Sequence, residues 1–155
     1  VCGVILGNPL TQKKDYIGIP MPGNEVAIFN ENKKMDCNEI GEICINSKTI
    51  MVGYYKNEEE TKNAFYMEEN GKLWLRTGDI GVIDLEGYVR YIGRWKRMII
   101  SSGYNIYPTR IEELIEKHAA VNMCVVVGKK DKKRIEIPKA YIVLNVGFNE
   151  FKGIE

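Results

Sequence analysis

An α+β fold in two parts is predicted for this chain, a β-rich front and a helix-plus-strand back, and three observations predict it. Two early segments, Glu25–Asn30 (EVAIFN) and Glu39–Asn46 (EIGEICIN), alternate apolar and polar residues over strand-length runs. Two further β-rich runs, Ile80–Asp84 and Tyr88–Ile92, are separated only by Leu85, Glu86 and Gly87, a hairpin link with a glycine available for positive φ. A helical signal after Pro108 then leads into the continuous apolar run Met123–Val127 (MCVVV). The boundary between the parts falls near Lys96, giving 1–95 and 96–155.

Each element follows from local chemistry. Ile17–Gly23 (IGIPMPG) carries too much proline and glycine for a central strand and suits an irregular lead-in. The two alternating runs, joined by the polar link Asn30–Asn38, read as a half-buried antiparallel pair. Asn57 followed by Glu58, Glu59 and Glu60 places an N-cap oxygen and three carboxylates where a helix leaves its first amides unpaired, so a short helix is expected to about Phe65. Asn70–Gly71 turns the chain back into a strand at Lys72–Arg76. In the back half, Thr109 and Glu112 have capping-box spacing, and Ile111, Leu114, Ile115 and Ala119 fall on one helical face. Strands are expected at Met123–Val127 and Ala140–Leu144, with the charged stretch Gly128–Pro138 as their link. A helix on two strands covers one sheet face, and more chain than follows Leu144 is needed to cover both.

Composition excludes several function classes. The 155 residues include 22 basic and 21 acidic side chains, a net charge of +1, which gives no electrostatic footprint for nucleic acid or an anionic membrane. No apolar run approaches the roughly 20 residues of a membrane-spanning helix, so no transmembrane segment is expected and the placement is cytoplasmic. The chain starts at Val1 instead of a methionine, which points to a piece of something longer. Cys2, Cys37, Cys44 and Cys124 form no CxxC pair and have no histidine at ligand spacing, so no metal site is expected. Cys44 and Cys124, inside apolar runs, read as small hydrophobes. His118 falls near the end of the expected helix, where a donor suits the terminal carbonyls.

Three short features carry chemistry. In Thr77-Gly78-Asp79 a glycine lets the backbone turn beside a carboxylate that can accept hydrogen bonds from two vicinal hydroxyls. In Gly93-Arg94-Trp95-Lys96 a planar guanidinium stands two residues from a flexible ammonium, a pair suited to phosphate or carboxylate. In Ser101-Ser102-Gly103-Tyr104-Asn105, small residues around a glycine allow a ligand close to backbone amides. The Ile80–Ile92 hairpin brings the first two features to the same end.

Together, in this order and spacing, these features resemble the acyl-adenylate-forming superfamily of acyl-CoA synthetases, luciferases and peptide-synthetase adenylation domains. IGIPMPGNEVAIFNE, EIGEICINSKTIMVGYYKNEEET, LRTGDIGVIDLEGYVRYIGRWKRMIISSGYNIYP and IEELIEKHAAV are similar to consecutive blocks of that family. The resemblance implies that 1–95 is the β-rich end of a large AMP-binding domain and that 96–155 starts a small, mobile α+β C-terminal domain, truncated here. It implies a carboxylic acid, ATP with Mg²⁺, and CoA as reactants. It also implies Asp79 as the ribose-hydroxyl acceptor, Arg94 as a nucleotide contact and Tyr91 as a pocket-lining residue. Lys96 becomes the hinge, and Ser102, Gly103 and Tyr104 the loop that meets CoA. None of these is a nucleophile or base, and the implied chemistry is positioning and electrostatics.

Lys96 and the run SSGYNIYP are more like an acyl-CoA synthetase than a peptide-synthetase domain, where aspartate and an Arg-Gly run are usual at those places. The family's phosphate loop, aromatic adenine motif and most of its acyl pocket precede the matched blocks. Its polarising lysine follows them: Gly128-Lys129-Lys130 comes too early, and Phe151-Lys152-Gly153 lacks the context. The expectation is therefore a piece of an acid–thiol ligase, inactive alone and binding AMP weakly. The alternatives are a piece of a peptide-synthetase adenylation domain or a natural non-catalytic nucleotide-binding or interaction module.

Overall fold

The computed structural model describes residues 5–9 and 13–148. It is α+β, mostly strands with two short helices, and its described residues divide into two compact units between Trp95 and Lys96.

In the first unit, β1 (Leu6–Gly7) pairs antiparallel with β2 (Ile19–Pro20), which lies within the Pro/Gly-rich lead-in. The main sheet contains β3 (Asn24–Asn30), β4 (Lys33–Lys34), β5 (Gly41–Ser47), β6 (Phe65–Met67) and β7 (Leu73–Ile83), ordered β4-β3-β5-β7-β6. On the edge of β7 away from β5, β6 covers the first residues and β8 (Val89–Arg94) covers the last. The alternating segments thus pair antiparallel, from Asn24↔Ser47 to Phe29↔Glu42. Phe29 and Trp74, both nearly inaccessible, meet at 5.4 Å between ring centroids, with Ala27 and Cys44 against them. A second cluster holds Ile28, Ile43 and Val89. Truncating a buried ring of this kind to alanine costs about 3–5 kcal/mol, because the hole left behind closes only in part.

Helix α1 (Glu58–Asn63) is capped as its sequence demands: the Asn57 side chain accepts the Glu60 amide N–H. It stops at Asn63, because Phe65 already enters β6.

The second unit begins within a 3₁₀ turn (Trp95–Arg97). Its sheet is ordered β10-β9-β12-β11, from β9 (Ile99–Ser101), β10 (Tyr104–Ile106), β11 (Val121–Asp131) and β12 (Ile135–Leu144). Helix α2 (Pro108–Ile115) lays Ile111 and Ile115 on Ile99, Val121, Cys124 and Val126. The alternate residues of β11, Met123, Val125 and Val127, are exposed.

Four expectations change here. The stretch Gly128–Pro138 is mostly strand, not link: β11 and β12 stay paired from Val121↔Leu144 to Asp131↔Ile135, with the turn confined to Lys132–Arg134. The charged run had hidden a solvent-facing ladder. Thr109 does not cap α2; Tyr107 holds the N-cap position without a side-chain hydrogen bond, and Pro108 opens the helix, where its missing N–H costs nothing. Glu112 points inward, and Leu114, expected on the buried face, is 67% exposed. His118 lies beyond the helix end, and its Nδ1 accepts the Ala120 amide N–H.

Candidate functional site

The site of the first unit is built on a bulge in β7. Strands β5 and β7 pair at Cys44↔Arg76 and again at Glu42↔Ile80, so one residue of β5, Ile43, faces three of β7: Thr77, Gly78 and Asp79. The sequence had suggested a turn at a strand end; instead the strand runs on through an interior bulge. Gly78 makes this possible with φ of +73°, a conformation that side chains with a Cβ rarely adopt.

A bulge breaks the ladder, and side chains repair it. The Thr77 hydroxyl donates to the Ile43 carbonyl at 2.7 Å and accepts the Asp79 amide at 3.0 Å. The Gly78 amide donates to Glu42 Oε1 at 2.9 Å, and Arg76 Nε donates to Glu42 Oε2 at 2.9 Å. Glu42 is buried, and Arg76 and the Gly78 amide meet its two oxygens. Beside it, burial foremost and the Glu42 charge next push the Cys44 thiol up to about 12.

Beyond the bulge Asp79 pairs in register with Arg94 on β8, and Arg94 Nε donates to Asp79 Oδ1 at 2.7 Å. This contact raises the guanidinium above its ordinary range, with a smaller contribution from Tyr91. The Asp79 and Arg94 side chains are 31% and 59% exposed, and Tyr91 is exposed three residues earlier on β8. An accessible carboxylate, a guanidinium beside it and a neighbouring phenol form a polar rim suited to hydroxyls and anions. The hairpin beneath is fixed by Asp84, whose Oδ1 accepts the amides of Glu86 and Tyr88, and by Gly87 at φ +85°. Lys13 donates to both Asp84 and Glu86.

In the second unit Lys96 is exposed within the 3₁₀ turn. The Ser102–Gly103 segment, expected as a loop leading to the helix, is a two-residue hairpin turn between β9 and β10 with Tyr104 opposite Ser101. Both turn residues have positive φ, +50° and +83°, as a type I′ turn requires. The Ser102 amide, expected to be open to a ligand, donates to the Arg134 carbonyl at 3.0 Å. Ser102, Gly103 and Tyr104 are nonetheless exposed, Tyr104 at 75%.

The expected residues therefore form two groups: Asp79, Tyr91 and Arg94 in the first unit, and Lys96, Ser102, Gly103 and Tyr104 in the second. Sequence reasoning missed the inward placement of two buried carboxylates, Glu42 beneath the β7 bulge and Glu112 on α2. Glu112 Oε1 takes both the Arg97 guanidinium and the Val126 amide. For Glu42 the signal was present: an acid in the apolar run GEICI, matched by Arg76 in the strand that pairs with it. Among the described residues no group of three His, Cys, Asp or Glu could hold a metal ion, and no helix is long and apolar enough to cross a membrane. Cys44 and Cys124 are buried free thiols, as expected, and Cys37 is an exposed one; Cys2 and Phe151-Lys152-Gly153 lie outside the described residues.

Residues 110–153 match the AMP-binding enzyme C-terminal domain. The chain is 38% identical over 133 residues to an acyl-CoA ligase, SID4, of Ajellomyces capsulatus, covering 84% of this chain and 23% of that protein. It is 46% identical over 110 residues to the 2-succinylbenzoate–CoA ligase of Listeria innocua, covering 71% of this chain and 22% of that one. Among solved structures it is similar to the o-succinylbenzoate CoA synthetase of Bacillus subtilis in complex with its acyl-adenylate intermediate, with a TM-score of 0.79 at 35% identity over 86% of this chain and 26% of the other. The chain spans about a quarter of the length of these proteins.

Proposed function

The chain belongs to the acyl-adenylate-forming superfamily, and from that premise we propose that it is part of a longer acid–thiol ligase of the acyl-CoA synthetase type. In that reaction a carboxylate oxygen attacks the α-phosphorus of ATP and pyrophosphate leaves. The CoA sulfur then attacks the acyl carbon, and AMP departs with the electrons of the broken acyl–oxygen bond.

The observation that carries this reading is the Asp79–Arg94 pair. Asp79 offers acceptors to the two ribose hydroxyls, and Arg94, already oriented by the carboxylate, offers its remaining N–H groups to the nucleotide. Tyr91 lines the same rim. Lys96, exposed in a single 3₁₀ turn, is the pivot about which the following domain turns between the half-reactions. Ser102, Gly103 and Tyr104 then meet the thiol donor at an exposed hairpin tip. Taken alone, these 155 residues bind AMP weakly and do not catalyse adenylation. The acid is a fatty, aryl or other organic carboxylic acid, and the enzyme works in the cytoplasm.

The test is an immunoblot of the source cells followed by assay of the native protein. A band several-fold heavier than 17.7 kDa is expected, with acid-dependent ATP–pyrophosphate exchange and thioester formation from CoA. A band at 17.7 kDa, or no exchange across a broad panel of carboxylic acids, would overturn the proposal.

A further inference from the structure

Glu42 is remote in sequence from the Asp79–Arg94 pair, yet the bulge that presents Asp79 is tied to it. We propose that Glu42 is a positioning residue for nucleotide recognition, acting through Gly78 on Asp79; the inference rests on the reading of Asp79 as the ribose acceptor.

A strand in plain register needs no carboxylate beneath it. The β7 strand carries two residues more than β5 between Cys44↔Arg76 and Glu42↔Ile80, and these surplus residues carry the exposed aspartate. Within the bulge the Gly78 amide has lost its place in the ladder, and Glu42 Oε1 takes it at 2.9 Å. The second oxygen is held by Arg76, through Nε and the terminal nitrogen, both at 2.9 Å. Glu42 is 8% exposed, so its charge has lost most of its hydration and the Arg76 and Gly78 contacts replace it.

The carboxylate sits one residue before the only β5 residue that faces the bulge. It therefore fixes the Thr77–Gly78 peptide, while the Thr77 hydroxyl fixes the next peptide, Gly78–Asp79, through the Asp79 amide at 3.0 Å. The consequence is geometric. Asp79 arrives opposite Arg94 with its carboxylate within 2.7 Å of the guanidinium, and its orientation is set by a residue that touches neither of them. Removing the Glu42 charge frees Gly78 to relax, and the Asp79 side chain then samples other directions.

The experiment follows amide signals of Gly78, Asp79 and Gly93 in the ¹⁵N-labelled 155-residue chain during titration with AMP and with 2′,3′-dideoxy-AMP. The wild-type chain is expected to prefer AMP by about tenfold, the worth of one charge-assisted hydrogen bond. In Glu42→Gln this preference should fall to within about twofold, with dideoxy-AMP affinity unchanged. A merely structural role would weaken both ligands together and keep their ratio, and a retained ratio in the variant overturns the inference. If the wild-type chain shows no preference, the ribose reading falls and the inference falls with it. Should Glu42→Gln not fold, Glu42→Asp serves: it keeps the charge near Arg76 but withdraws the oxygen from Gly78, and the same loss of preference is expected.

Discussion

Asp79 and Arg94 stand directly opposite one another in the β7–β8 ladder and share a 2.7 Å hydrogen bond from Nε to Oδ1 while remaining open to solvent. Exposed ion pairs contribute little to stability, so the pair is better explained by what it presents than by what it holds. In the proposed full-length ligase, Asp79→Ala should cut adenylate formation by about tenfold or more, the loss expected for charge-assisted hydrogen bonds to hydroxyls. ATP–pyrophosphate exchange measures it, and an unchanged exchange rate would remove Asp79 from nucleotide binding. The melting temperature should barely move.

Gly103 occupies the second position of a turn in which both residues have positive φ. Gly103→Leu forces a branched side chain into the left-handed region at a cost of about 1–2 kcal/mol. In the proposed full-length ligase it should chiefly damage thioester formation and spare adenylation. Equal loss of both half-reactions would count against a role for this hairpin at the thiol step.

Glu112→Ala strips partners from Arg97 and from the Val126 amide at once. Leaving a buried donor unmet costs about 1–3 kcal/mol, so the unfolding free energy of the second unit in urea should fall by about that amount and its midpoint should move to lower urea. No shift would mean that water satisfies both donors.

Burial works to raise the Asp84 carboxyl, but Lys13 and the amides of Tyr88 and Glu86 prevail and hold it below the ordinary carboxylate range. Its contribution is complete above the unfolded value near pH 4 and is lost as pH falls through the lower folded value. Lys13, raised by Asp84 and Glu86, contributes fully below its unfolded value and loses this only as pH rises past the raised one. Asp84→Asn should therefore lower the melting temperature at neutral pH, and the gap from wild type should close in strong acid. A gap that persists there would point to the amide contacts alone.

Cys37 is exposed, whereas Cys44 and Cys124 are buried with thiols raised by burial. Iodoacetamide under native conditions should label Cys37 and leave Cys44 and Cys124 until the chain unfolds, as peptide mass mapping would show. Native labelling of Cys44 would mean that the β5–β7 core opens readily.

The parts legible in the sequence were those written in local rules. Alternation placed β3 and β5, Asn57 placed the start of α1, and the three-residue link at Leu85–Gly87 placed Asp79 near Arg94. What escaped depended on partners distant in the chain. Thr77-Gly78-Asp79 looks like a turn until β5 is seen to continue beside it with fewer residues. Glu112 has capping-box spacing from Thr109, but Pro108 takes the first helical position and Arg97 gives the carboxylate a reason to face inward. The Lys-rich stretch after Val127 imitates a loop because a hairpin with both faces wet has no apolar alternation to reveal it.

The buried carboxylates Glu42 and Glu112 also differ in how far their partners lie along the chain. Glu112 meets groups 15 and 14 residues away, whereas Glu42 waits for Arg76 and Gly78, 34 and 36 residues on, and Lys13 reaches Asp84 and Glu86 across 71 and 73. Short loops close at less entropic cost. The second unit should thus gather early in refolding, while the bulge that aims Asp79 settles late, after the β5–β7 pairing has been won.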